Sequence, residues 1–172
     1  GLHLMSVLQA IGNTSMVRLR KIVPPDCGEI VAKLEWENPT GSMKDRMALA
    51  VISQAEADGR LRPGDTVVEY TGGSTGASLA LVCAAKGYRL RIVTSNAFSQ
   101  EKRDHMAALG AELTLVPSKG GLTTRKLILD MIEVLVREHQ GGDSDAAPVQ
   151  PLRHALGRIH GDCAGAGLRQ PT

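Results

Sequence analysis

Residues 66–87, TVVEYTGGSTGASLALVCAAKG, decide how the rest of the chain is read. Thr66 to Tyr70 is rich in β-branched and aromatic residues, the composition of a strand. TGGSTG follows at 71–76, and ASLALVCAAK then reads as an apolar helix that stops at Gly87. A strand, a glycine turn and a helix start in succession form an anion cradle, because free backbone N–H groups and the positive end of the helix dipole converge on the turn. A nucleoside-triphosphate loop would need a lysine and then Ser or Thr after the last glycine, whereas Gly76 is followed by Ala77 and Ser78. A dinucleotide site would need G-x-G-x-x-G and an acid ending the next strand, which here ends Thr94, Ser95, Asn96. The anion is therefore of another kind.

Outward from this unit the pattern repeats. Leu90 to Ser95 is a strand, Ser99 a cap, Gln100 to Leu109 a helix ended by Gly110, and Ala111 to Pro117 a further strand. Leu122 to His139 is a long apolar helix, started by Thr124 or its neighbour. On the N-terminal side, Ile30 to Glu35 is a short strand, and a helix from Met43 to Ala57 stops at Gly59, a natural left-handed C-cap. Alternation of strand and helix implies an α/β fold with a parallel sheet and helices on both faces.

The stretch NPTGSMKDRMA, residues 38–48, carries the chemistry. Pro39 and Gly41 make a turn, Ser42 can cap the helix, and Lys44 falls in its first turn. A helix N-terminus disfavours a cation, and Arg46 adds to the effect while Asp45 opposes it. An amine discouraged from carrying charge is a nucleophile for aldehydes.

NPTGSMKDR closely resembles the lysine motif of the pyridoxal-phosphate enzymes of the cysteine synthase and cystathionine β-synthase family. IGNTSMVRL at 11–19 is similar to the family's IGNTPLVRL, with Ser15 and Met16 replacing proline and leucine. The resemblance implies the tryptophan synthase β-like fold, pyridoxal 5′-phosphate as cofactor, and Lys44 as the residue that holds it. It also makes TGGSTG the counterpart of a loop usually written TSGNTG, which grips the carboxylate of the substrate amino acid. Thr71, Gly72, Ser74 and Thr75 then match substrate-binding positions, and Asn38 and Ser74 match cofactor-binding ones. Ser74 replaces the loop asparagine that bonds the cofactor's phenolic oxygen; a serine hydroxyl is shorter and reaches that oxygen only if the ring sits closer or a water intervenes. In SNAFSQEKRDHMAALGAEL, at 95–113, Ser99, Glu101 and Arg103 take family positions that are read as structural. The implied chemistry is β-replacement or β-elimination on an activated serine, giving cysteine or a thioether in cysteine biosynthesis.

The motifs run from about Ile11 to Glu138 and then stop. No GTGGT, the family's phosphate-holding loop, occurs in the chain, and the tail offers only GAG at 165–167. The organisation expected is residues 1–36 as the start of a larger domain, 37–140 as a smaller α/β domain, and 141–172 as an irregular tail without a strand, in which Pro151 could open a short helix. A truncated or frame-altered product, or a fragment of a longer enzyme, weakly active or inactive alone, is the reading that follows. The alternative is a non-catalytic α/β domain that binds a partner or a small anion.

Composition narrows the partners. The 172 residues carry a net charge of only +2 with 42% hydrophobic residues, so neither a nucleic-acid stripe nor a membrane-binding face is expected. No apolar run or signal-peptide pattern stands out, and Cys27, Cys83 and Cys163 are widely spaced, which suits a cytoplasmic setting. His154, His160 and Cys163 fit no standard metal spacing, and no metal is expected. Expected partners are a small amino-acid substrate and a second copy of the chain, as a homodimer.

Overall fold

Two short strands, β1 (Met16–Leu19) and β2 (Ile30–Lys33), pair antiparallel in a hairpin of their own. The computed structural model describes residues 5–24, 26–140 and 150–151. The strand expected at Ile30 to Glu35 is present, but it does not lead the parallel sheet. Strand-helix alternation reads any strand before a helix as a sheet member, whereas β1 lies close in sequence and offers an antiparallel partner after a simple reversal.

The parallel sheet runs in the order β5–β4–β3–β6, with β3 at Thr66–Tyr70, β4 at Arg89–Ser95, β5 at Glu112–Val116 and β6 at Gln150–Pro151. The tail was expected to hold no strand and to open a helix at Pro151, yet Gln150 and Pro151 pair with Val67 and Val68 along the free edge of β3. An edge tolerates proline, and two residues leave no periodic pattern to read. Leu152 onward, including His154, His160 and Cys163, lies outside the described residues.

Four helices cover the sheet: α1 (Lys44–Ala57), α2 (Ser74–Lys86), α3 (Gln100–Ala108) and α4 (Arg125–Gln140). Consecutive side chains on a strand point to opposite faces, so Val67 and Val68 serve two different cores. Val67, Leu90 and Ile92 meet Val51 and Ile52 of α1, Leu79 and Val82 of α2 and Met106 of α3. Val68, Val93 and Val116 meet Leu127, Met131 and Leu135 of α4. This is the expected α/β architecture, a parallel sheet with helices on both faces. Ser99 and Thr124 cap their helices as their side chains suggested, accepting from the N–H groups of Lys102 and Leu127, and Gly59 follows α1 at φ +70°. Cys83 is fully buried, and burial alone pushes its thiol up to about 12. Among the described residues no helix is long and apolar enough to cross a membrane, and no three His, Cys, Asp or Glu side chains gather as metal ligands.

Helix α2 begins at Ser74 and not at Ala77, so half of TGGSTG is already its first turn. Gly76 lies where this turn is pressed against α3 and β4. A Cβ there would stand 2.2 Å from Met106 Sδ and 2.7 Å from Thr71 Cγ2. Gly76→Ala is expected to destabilise the fold by about 1–3 kcal/mol through overpacking, read as a lower urea midpoint at unchanged slope.

Candidate cofactor and substrate site

The lysine loop is pinned from behind by Asp45, whose side chain is completely buried. Its carboxylate accepts from the Thr40 backbone N–H at 2.8 Å, from the Thr40 hydroxyl, and from Ser78 Oγ of α2 at 2.5 Å. Ser42 Oγ accepts from the Lys44 backbone N–H at 3.1 Å, so the expected capping serine does meet an otherwise free donor of the first turn.

A second polar cluster ties the loop to the N-terminal motif. Arg46 grips Glu35 with both sides of its guanidinium, at 2.9 and 3.0 Å, and reaches Thr14 Oγ1 at 2.9 Å. Thr14 in turn donates to Glu35 at 2.8 Å. Asn38 donates to the Glu35 backbone carbonyl and carboxylate at 2.8 and 2.9 Å, and its side-chain oxygen accepts from Gly12 N–H at 2.9 Å. Gly12, at φ +89°, also has Arg46 Nη1 within 2.9 Å of where a Cβ would be, so both backbone and space require glycine. The hydrogen bond from Arg46, then that from Thr14, hold the Glu35 carboxyl down to about 2. Arg46 was expected to press on the Lys44 amine; its charge is matched by Glu35 instead. Asn38, expected beside the cofactor, is 3% exposed, with both ends of its amide engaged in this cluster.

In front of these anchors lies a cleft of about 380 Å³. Thr40, Gly41 and Ser42 line one side, Gly73, Ser74 and Ala77 another, and Glu101, Lys102 and His105 of α3 the third. It opens at the carboxyl ends of β3 and β4, where open α/β sheets hold ligands. Lys44 follows Ser42 by two residues and is half-buried, but does not itself line the cleft. Thr71, Gly72 and Thr75 are half-buried in and beside the turn, with Thr71 N–H donating to Val93 O at 3.1 Å.

Thus, of the expected site residues, Ser74 lines the cleft, and Lys44, Thr71, Gly72 and Thr75 stand in the two segments that bound it. Glu101, read as structural, is a lining residue, while Arg103 is structural as read, donating to Ser95 O and Phe98 O at 3.2 and 2.5 Å. Lys102, His105 and Ser78 were not anticipated. The spacing of His105 at i+4 from Glu101 and i+3 from Lys102, on a helix entered from a strand end, is the signal that could have found the first two.

The fold has counterparts among known proteins. The family of pyridoxal-phosphate dependent enzymes matches residues 7–151, past the Glu138 where the motifs end, and the chain belongs to that family. Within it, the similarity is to cysteine synthases. The cysteine synthase of Staphylococcus aureus (strain N315) is 45% identical over 134 residues, 78% of this chain and 42% of that protein. Cysteine synthase B of Escherichia coli (strain K12) is 46% identical over 129 residues, 74% of this chain and 43% of that one. Among solved structures, a cysteine synthase from Entamoeba histolytica superposes with a TM-score of 0.74 at 29% identity, over 95% of this chain and 51% of that chain. An O-ureido-L-serine synthase superposes with 0.72 at 36% identity, over 97% and 53%. The chain spans less than half the length of the curated relatives it matches.

Glu35 gives the site an acid limit. Its folded carboxyl is harder to protonate than an ordinary one near 4.5, so its contribution to stability is complete above about pH 4.5 and is lost as pH falls toward 2. Melting of the parent chain across that window is expected to show a steeper loss of stability than melting of Glu35→Gln, which lacks the titrating group.

Proposed function

We propose that this chain carries the lysine and carboxylate turn of a pyridoxal-phosphate-dependent enzyme acting by β-replacement or β-elimination on an activated serine, as a cysteine synthase does. The observation that supports it is the shared cleft, with Thr40, Gly41 and Ser42 of the lysine loop across from Gly73, Ser74 and Ala77 of the glycine turn. The donor set fits one end of the cofactor: a half-buried primary amine for the aldehyde, and the Ser42 and Ser74 hydroxyls for the ring's polar edge. Once bound, the cofactor supplies an electron sink for bonds to the substrate's α carbon.

The rest falls to the chain's own residues. Lys44 Nζ would hold the cofactor through its aldehyde and would take the proton from the substrate's α carbon. Thr71, Gly72, Ser74 and Thr75 hold the substrate carboxylate with backbone N–H groups and hydroxyls at the positive end of α2. Asn38 acts from behind, fixing the N-terminal motif against the loop. On the β carbon the leaving group would depart with the bonding electron pair, a sulfur nucleophile would add in its place, and Lys44 would return the proton to the α carbon.

Residues 1–36 are proposed as the start of a larger domain and 37–140 as the smaller one. The hairpin's apolar exposure supports this division, with Met16 63% and Ile30 48% exposed. That surface also supports association of two copies. Free thiols at Cys27 and Cys83 accord with a reducing, cytoplasmic setting. Since GTGGT is absent from the sequence, a strong set of charge-assisted bonds to the cofactor's phosphate is not supplied from these residues, and cofactor affinity of the isolated chain is proposed to be weak.

Borohydride reduction of the chain with pyridoxal phosphate, followed by peptide mass mapping, is the test. A covalent adduct at Lys44 that disappears in Lys44→Ala is the expected result. The second reading, a non-catalytic anion- or partner-binding domain, is favoured by Lys44 standing outside the cleft lining; adducts scattered over surface lysines, identical in parent and variant, would establish it in place of the first.

A further inference from the structure

Gly72 is a glycine for reasons of space. It is not among the glycines held at positive φ, so its backbone conformation does not demand one. A Cβ at residue 72 would instead stand 2.1–2.2 Å from three carbons of the Phe98 ring, well inside contact distance. The ring occupies the volume that a side chain at 72 would fill.

Phe98 is itself fixed. It is half-buried against the cluster of Val68, Val93 and Val116, at the carboxyl end of the sheet. Its N–H donates to Ser95 O at 3.1 Å, and its carbonyl accepts from Arg103 Nη1 at 2.5 Å, while the same guanidinium nitrogen reaches Ser95 O at 3.2 Å. Arg103 therefore closes the 95–98 turn and aims the ring at Gly72. Where the similar loop TSGNTG carries a serine, this chain has bare backbone and an aromatic wall brought from another segment.

We propose that Phe98 is the positioning residue of the carboxylate turn. Its ring takes the place of the residue 72 side chain and sets an apolar surface beside the backbone of 71–73, which is held in one arrangement with Thr71 N–H donating to Val93 O and Gly73 N–H to Thr71 Oγ1. Carboxylate capture by backbone donors next to such a surface is stronger than in water, because charge-assisted hydrogen bonds gain as the local dielectric falls. The inference rests on the reading of 71–76 as the turn that takes an amino acid's carboxylate. Residues 72 and 98 then behave as one unit: a side chain can be added at 72 without loss only if the ring at 98 is removed.

The experiment is a double-mutant cycle on the full chain, with Gly72→Ser, Phe98→Ala and the pair, and with Phe98→Leu as the conservative control. Amide NMR shifts of residues 71–76 during titration with L-serine, in the presence of pyridoxal phosphate, report affinity at the turn; thermal melting of each variant reports the fold. Gly72→Ser is expected to weaken L-serine binding by about tenfold or more and Phe98→Ala by about threefold, with the pair no weaker than Phe98→Ala alone. Phe98→Leu is expected to keep most of the parent's affinity. Strictly multiplicative effects, or melting changes with L-serine affinity unaltered in every variant, would overturn the proposal. No response of the 71–76 amides to L-serine in the parent chain would overturn the carboxylate reading together with it, and is told apart from the first two outcomes because the loss is already present before any substitution.

Discussion

The buried carboxylate of Asp45 is the constraint on which the candidate site depends. A charge without solvent is costly unless its oxygens are hydrogen-bonded, so Asp45 dictates where its donors must stand. Two belong to Thr40, five residues earlier, and one to Ser78, 33 residues later on α2. Satisfying a single side chain therefore fixes the loop before α1 against the helix that follows the glycine turn. The cleft between them is a by-product of that requirement.

Glu35 does for the back of the loop what Asp45 does for its base. It draws Arg46, Thr14 and Asn38 into one cluster, and Asn38 passes the connection on to Gly12. The two ionisable neighbours of Lys44 in sequence are thus both committed elsewhere, Asp45 to hydroxyls of α2 and its own loop, and Arg46 to the N-terminal motif. Local sequence made them look like opposing influences on the lysine. Tertiary structure turns one inward and the other sideways, so adjacency along the chain does not tell what either side chain faces. The motif IGNTS owes its form to this cluster as well, since Gly12 admits the guanidinium and Thr14 receives it.

Elements with a strong local cause were legible. β3 through α4 could be read in order because buried parallel strands are continuous apolar runs and each helix carries its own cap, such as Ser99 or Thr124. β2 was legible as a strand but not as part of a hairpin, because pairing is decided by a partner and not by the strand itself. Gln150 and Pro151 had no period to show. Within the site, Lys44 and the turn at 71–76 were legible as motifs, whereas the contributions of Ser78 and His105 were not: a serine within an apolar helix and a histidine on a polar one look the same whether they meet a carboxylate, a cleft or water. Phe98 escaped for the opposite reason, since an aromatic side chain after a strand reads as ordinary core.

The same geometry separates the stability of the sheet from the chemistry of the site. Both apolar cores around β3 and β4 are covered by α1 to α4, with Leu8 and Ile11 packed against one of them. The hairpin is different, because its apolar side chains remain open to solvent and, among the described residues, its strands pair only with each other. Burial at about 25 cal/mol per Å² makes any surface that covers such a patch favourable to bind. Rigidity of the turn is thus an internal property of the sheet and its helices, and measurements of folding and of binding on this chain report two different things.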